Sequence, residues 1–252
     1  MNNYSENIMS KVPQVTLLFW VLKIISTTLG ETGGDAVSMK MNLGYLAATG
    51  IFFTLFVLSV SVQIFAKKFH PLIYWFTIIT TTTVGTTLAD FTTRSLGIGY
   101  LGGSMLLLTL LIGCLALWYS RLGTVSVASV NQPKAEVFYW LTIMFSQTLG
   151  TALGDWTADT AGVGYLGSAV LFSGILIILL AANYLTTASK TLLFWSAFVL
   201  TRPLGAVLGD FLDKSPSSGG LGLSHYGATA ALLSMMLFLL FSFKQSPASK
   251  AH

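Results

Sequence analysis

A tryptophan, a glycine and an aspartate recur in fixed register four times along this chain. Trp20, Trp75, Trp140 and Trp195 are followed ten residues later by Gly30, Gly85, Gly150 and Gly205. Fifteen residues after each tryptophan come Asp35, Asp90, Asp155 and Asp210, each preceded by a small residue: Gly34, Ala89, Gly154 and Gly209. The pattern W-x9-G-x3-[GA]-D therefore occurs four times without a gap. Tyr45, Tyr100 and Tyr165 stand 25 residues after Trp in three copies, and Tyr226 takes that place behind a longer connection in the fourth. The tryptophan spacings of 55, 65 and 55 point to a duplication made twice.

Composition says what each copy is. Hydrophobic residues make up 54% of the 252 residues and charged residues only 9%, against roughly 25% charged in a soluble domain. Mean hydropathy is +0.75. An ordinary soluble domain and a disordered chain are both excluded. A nucleic-acid-binding protein is excluded too, because the net charge of +4 is scattered, with no basic run longer than Lys67-Lys68. The single Cys114 forms no intramolecular disulfide, and the three dispersed histidines have no zinc spacing. Eight stretches have the length and apolarity of a membrane helix: about 14–34, 44–66, 71–92, 98–119, 137–157, 163–185, 190–212 and 221–243. The first is read as a span and not as a signal peptide, since no small-residue cleavage site follows it. The expected fold is all-α: eight transmembrane helices in one membrane domain, 1–252, built of repeats at about 11–66, 67–120, 134–186 and 187–243. Halves 11–120 and 134–243 are joined by 121–133. Eight Lys and Arg residues on one side of the spans against three on the other place both termini in the cytoplasm. Two helices per repeat make the repeats parallel, related by a pseudo-symmetry axis along the membrane normal.

The segments around Phe19-Trp20, Tyr74-Trp75, Tyr139-Trp140 and Phe194-Trp195, with the Gly and Asp that follow, carry a resemblance. Over about residues 11–243 the chain resembles a bacterial integral membrane protein family built of four tandem two-helix repeats of unknown function, each with a characteristic tryptophan. The resemblance implies the bacterial cytoplasmic (inner) membrane and no particular activity.

Function must come from the residues. In a helix, positions 3, 7, 11 and 15 after each tryptophan share one face. They are Lys23, Thr27, Glu31 and Asp35; Ile78, Thr82, Thr86 and Asp90; Ile143, Gln147, Thr151 and Asp155; and Phe198, Arg202, Ala206 and Asp210. Lipid offers such polar groups no hydrogen bonds, so this stripe is expected to face the bundle interior, with the Leu- and Phe-rich even spans outside against the bilayer. The tryptophans are expected to form an interfacial belt. The glycines suit close helix packing. Lys23 and Arg202 are each expected to pair with an acid, Glu31 being a candidate.

Four aspartates at one depth repel one another, and a bound cation or shared protons would relieve this. Pairing with Arg94, Lys40 or Lys214 is the structural alternative. Five acids (Glu31, Asp35, Asp90, Asp155, Asp210) against two bases (Lys23, Arg202) line the inner face. The leading expectation is a secondary transporter, in the export direction, of a small hard cation such as Mn²⁺, Mg²⁺ or Ca²⁺, bound by those five acids. Its pathway would run past Thr27, Thr82, Thr86, Gln147, Thr151, Arg202 and Lys23. The alternatives are a transporter of a small anion held by Arg202 and Lys23, and a non-transporting membrane scaffold. No nucleophile–base pair or cofactor motif points to an enzyme. The expected partners are the lipid bilayer and a small ion, with the oligomeric state open.

Overall fold

The computed structural model describes residues 10–248; Lys250, which entered the charge count, and His252 lie outside them. Eight long helices follow one another: α1 Leu17–Asp35, α2 Gly44–Phe65, α3 Pro71–Asp90, α4 Gly99–Leu122, α5 Pro133–Asp155, α6 Gly164–Leu185, α7 Lys190–Asp213 and α8 His225–Ser242. Their starts follow from local chemistry. The Thr16, Ser189 and Ser224 side chains cap the first N–H groups of α1, α7 and α8, while α3 and α5 open on Pro71 and Pro133. In repeats one to three a π-helical turn follows the aspartate, at Ala36–Lys40, Phe91–Ser95 and Trp156–Thr160. A left-handed Gly44, Gly99 or Gly164 then starts the next helix.

Six helices are long and apolar enough to cross a membrane, and the molecule has the make-up of an integral membrane protein. The other two, α1 and α5, are long but polar: α1 carries Lys23, Glu31 and Asp35, and α5 carries Lys134, Glu136 and Asp155. Both belong to the inner layer. The odd helices form a closed ring, α1 on α3, α3 on α5, α5 on α7 and α7 on α1. Each even helix packs on the odd helix of the next repeat: α2 on α3, α4 on α5, α6 on α7, and α8 back on α1. The order of helices around the axis, which spacing alone left open, is thus one four-membered ring.

The glycines make the ring possible. A Cβ at Gly30 would lie 2.1 Å from Thr82 Oγ1, one at Gly85 2.8 Å from Gln147 Cβ, one at Gly150 2.4 Å from Arg202 Cγ and one at Gly205 2.2 Å from Thr27 Oγ1. In every case the glycine of one repeat receives the residue seven after Trp in the next, and the fourth returns to the first. Thr82 also donates to the Ser26 carbonyl (3.2 Å) and Thr27 to the Thr201 carbonyl (3.3 Å). Small residues and hydroxyl groups are what hold helices together where no hydrophobic drive separates them from lipid.

The tryptophans do not form an outward belt. Trp75, Trp140 and Trp195 are buried, and Trp20 is half-buried. The aromatic residue before each one packs on the next repeat's tryptophan: Phe19 on Trp75 (5.6 Å between centroids), Tyr74 on Trp140 (5.6 Å), Tyr139 on Trp195 (6.1 Å) and Phe194 on Trp20 (5.8 Å). Each such pair contributes about 0.5–1.5 kcal/mol beyond burial. The Tyr74 and Tyr139 hydroxyls meet at 2.7 Å. This plug is covered by the chain's own polar segments, which is why the rings are not at a lipid interface. Gln14 N–H bonds the Ser246 carbonyl (2.8 Å), Ala248 N–H the Val12 carbonyl (2.8 Å) and Lys11 N–H the Val130 carbonyl (3.0 Å). Trp75 Nε1 donates to Gln245 Oε1 (2.7 Å) and Trp195 Nε1 to the Val125 carbonyl (2.9 Å). Lys11 and Glu136 form an ion pair at 2.7 Å within the same cover.

Candidate functional site

Beyond the aromatic plug the interior of the ring is polar in layers. The first layer holds Lys23, Ile78, Ile143 and Phe198; the second Thr27, Thr82, Gln147 and Arg202; both are wholly buried. Glu31, Thr86, Thr151 and Ala206 follow, then Asp35, Asp90, Asp155 and Asp210, none more than 6% exposed. Every residue of the expected site therefore lies inside the ring.

Their partners divide them. Thr82, Thr27 and Thr151 return hydroxyl bonds to their own helices, and the first two also fasten helix to helix. The threonine run 80–83 bonds back to the carbonyls of Thr77 and Ile79. Arg202 crosses the bundle: its stem lies on Gly150, Nη1 donates to the Thr27 carbonyl (3.3 Å), and Nη2 donates to Glu31 Oε2 (2.8 Å) and Thr86 Oγ1 (2.6 Å). Arg202 thus takes Glu31. The expected acid partner of Lys23 is not there: Lys23 Nζ has no hydrogen-bond partner among the described residues and lies 4.1 Å from the centre of the Phe198 ring. The reason is register, since Glu31 is two helical turns from Lys23, about 12 Å along α1.

Two cations outside the expected site organise the aspartates. Arg94 Nε lies 3.0 Å from Asp90 Oδ1 and its Nη2 3.3 Å from Asp155 Oδ2. Lys214 Nζ lies 2.6 Å from Asp35 Oδ2 and 3.1 Å from Asp210 Oδ1. Both stand nineteen residues after their Trp and four after their Asp, and each bridges its own repeat to the next. That i,i+4 spacing was the signal available in the sequence. Lys214 follows the end of α7; burial disfavours its ammonium, but Asp210 and Asp35 outweigh this and hold it above the ordinary lysine range. The equivalent residues in repeats one and three are Met39, which has no charge, and Asp159, which has the wrong sign, so neither can bridge two aspartates.

The ring of four aspartates therefore has four inter-repeat gaps, and among the described residues a cation bridges the two aspartates in alternate gaps only. In the gap between repeats three and four, carboxylate oxygens of Asp155, Asp210 and Glu31 lie within 4.8 Å of one another, all buried. Asp35 Oδ1 has no hydrogen-bond partner among the described residues. Asp213 adds a further acid at the mouth, 2.6 Å from His225 Nδ1 and 4.0 Å from Lys214. Asp35, Asp213 and His225 also have ligand atoms within 4.8 Å of one another.

These features define a class: a membrane protein of four two-helix repeats closed into a pseudo-fourfold ring, with an aromatic plug at one end and a buried acid cluster at the other. A family model described as Repeat of Unknown Function (DUF347) matches residues 18–69, 73–124, 138–189 and 193–245, and the chain belongs to that family. No curated protein and no solved structure matches the chain significantly.

Proposed function

We propose that the protein is a secondary transporter of a small hard cation, working as an exporter in the bacterial cytoplasmic membrane. All eight long helices cross the bilayer, α1 and α5 shielded by their neighbours, and the Lys/Arg bias places both termini and the aromatic plug on the cytoplasmic side. The observation that carries the reading is the alternation around the aspartate ring. Where two aspartates of neighbouring repeats meet, Arg94 or Lys214 bridges them in two gaps, and among the described residues no cation bridges the aspartates of the other two, Arg202 pairing with Glu31 alone of the acids. The gap formed by Glu31, Asp155 and Asp210 is the one a free cation would fill. Six acids (Glu31, Asp35, Asp90, Asp155, Asp210, Asp213) share three permanent cations (Arg94, Arg202, Lys214), with His225 a fourth only when protonated. Like charges so close cannot all ionise without protons or another cation. All-oxygen ligands suit Mn²⁺, Mg²⁺ or Ca²⁺, and the same carboxylates can exchange the metal for protons, which makes protons the coupling ion.

The test is flux. Purified protein in proteoliposomes should move Mn²⁺, Mg²⁺ or Ca²⁺ under a pH gradient, and Asp155→Asn and Asp210→Asn should abolish that flux while the protein stays folded. Wild-type protein with no flux of any of these ions, or folded Asp155→Asn with undiminished flux, would reject the proposal. The bridging ion pairs favour one other reading, a non-transporting scaffold. In that case the same variants would lose stability, and no gradient would drive flux.

A further inference from the structure

The acid cluster leaves Lys23 unexplained. Its ammonium sits one layer from the aromatic plug, wholly buried, in a ring whose other members are Ile78, Ile143 and Phe198. Among the described residues it has no hydrogen-bond partner, and no carboxylate forms an ion pair with it. The acid on its own helix, Glu31, is about 12 Å away along the axis and is held by Arg202 at 2.8 Å. Arg202 stands in the adjoining layer, its Nη1 on the carbonyl of Thr27, one turn from Lys23 along α1. A buried charge without a partner is costly, and a second base in the adjoining layer adds to the cost.

Other polar groups of these two layers are also unsatisfied. Among the described residues Arg202 Nε has no acceptor, and neither end of the Gln147 amide nor the Ser146 hydroxyl has a partner. All are wholly buried. The unmet capacity is dominated by donors: the Lys23 ammonium, the Arg202 Nε–H, the Gln147 NH₂ and a hydroxyl that can donate. Buried donors normally find an acceptor from protein, water or ligand. No carboxylate pairs with Lys23 among the described residues, and the single unpartnered amide oxygen of these layers, Gln147 Oε1, cannot serve the Lys23 ammonium and the Arg202 Nε–H together with the other donors, which leaves a place for an acceptor from outside.

We infer that Lys23 and Arg202, with Gln147, form a binding site for a small inorganic anion of the size of chloride or nitrate, at the layer between the aromatic plug and the acid cluster. One anion there would separate the two bases and accept from the donors that lack partners. The apolar Ile78, Ile143 and Phe198 side chains on the plug side restrict the occupant to something small. The site adjoins the carboxylate gap through the Arg202–Glu31 pair, but Lys23 and Gln147 have no part in that gap, and Lys23 is the residue that tests the inference apart from the cation proposal.

The experiment is an anion titration of purified, detergent-solubilised wild-type protein, exchanging gluconate for chloride or nitrate at constant ionic strength. Unfolding midpoint and intrinsic tryptophan fluorescence are followed together. The expected result is a saturable rise in midpoint, about 5 °C or more at a hundredfold excess over Kd, with a matching fluorescence change, because Trp75, Trp140 and Trp195 lie in the adjoining plug. Lys23→Met, which keeps the stem and removes the charge, should lose both responses. Asp155→Asn should keep both, even where it loses cation flux. Absence of a saturable response in folded wild type would overturn the inference, whatever the variants do. So would an undiminished response in Lys23→Met, which would assign anion binding to the surface. Loss of cation flux in Asp155→Asn with no anion response in wild type would leave the cation proposal standing and remove this one.

Discussion

Replacing Gly150 by alanine tests the ring directly. The new Cβ would lie 2.4 Å from Arg202 Cγ, 2.5 Å from Arg202 Cβ and 2.9 Å from Pro203 Cδ. Carbon atoms pack best at about 3.5–4.0 Å, so α5 and α7 must separate by roughly 1 Å. Overpacking of this kind costs about 1–3 kcal/mol. The displacement also carries the Arg202 guanidinium, whose contacts with Glu31 and Thr86 are 2.8 and 2.6 Å. Alanine gains helix propensity over glycine, about 1 kcal/mol, so a control is needed in which that gain acts alone. Gly113, in α4, supplies it: a Cβ there meets nothing within 4 Å. The propensity gain is common to both variants and cancels in their difference, which leaves the packing cost. The assay is thermal unfolding in detergent at one scan rate, followed by tryptophan fluorescence. Gly150→Ala should unfold roughly 3–10 °C below Gly113→Ala. Equal midpoints would show that the close approach of α5 and α7 does not exist in the folded protein.

Other tests follow from named contacts. Glu31→Gln should cost about 3–5 kcal/mol by leaving Arg202 buried and unpaired, and the double variant Glu31→Gln with Arg202→Met should recover much of that loss in a denaturation cycle. Removing the 2.7 Å bond across the plug by Tyr74→Phe or Tyr139→Phe should cost about 0.5–1.5 kcal/mol, and the two losses should not add, because one bond joins both hydroxyls. Lys214 has a folded-state affinity for its proton above the ordinary lysine range. Its contribution is therefore complete at pH 7 and is lost only as pH rises beyond that range. The midpoint difference between wild type and Lys214→Met should stay constant from pH 7 to about 9.5; a difference that vanishes within this window would contradict the Asp35–Lys214–Asp210 bridge.

The eight helices and their inward polar faces were legible because the periodicity of the repeat carries both. The direction of the glycines was legible as close packing, but their partners were not. That Gly205 receives Thr27 is a statement of closure, and spacing along a chain says nothing about which ends meet. The tryptophans illustrate a different limit. A ring with a polar N–H near a helix start reads equally as an outward belt or an inward plug, since both satisfy that N–H. The aromatic neighbour preceding every tryptophan, Phe19, Tyr74, Tyr139 and Phe194, was the sign of the plug. Only the fold shows that Gln245 and the Val125 carbonyl arrive to accept from Trp75 and Trp195. In the acid cluster, the aspartates were visible through their register. Arg94 and Lys214 were legible as partners for the aspartates, and the i,i+4 relation points to Asp90 and Asp210; that each also reaches the aspartate of the next repeat, Asp155 or Asp35, is visible only once the ring is closed.

The side chains break the symmetry that the backbone keeps. Four equivalent aspartates, each alone with its repeat, would make a fourfold ring of like charge that no single ion could neutralise. Arg94 and Lys214 occur in repeats two and four only, and this reduces the ring to two filled and two open gaps. Arg202 and Glu31 occur in one repeat each and reduce it further, since Glu31 joins Asp155 and Asp210 at the open gap between repeats three and four. Lys23 does the same one level deeper, facing three apolar residues at the same position. These five charged residues make the four gaps unlike one another, and of the two proposed readings it is the cation carrier that would use such a difference, because a site for one small ion needs one gap distinct from the rest, whereas a scaffold would be served as well by a symmetric set of ion pairs.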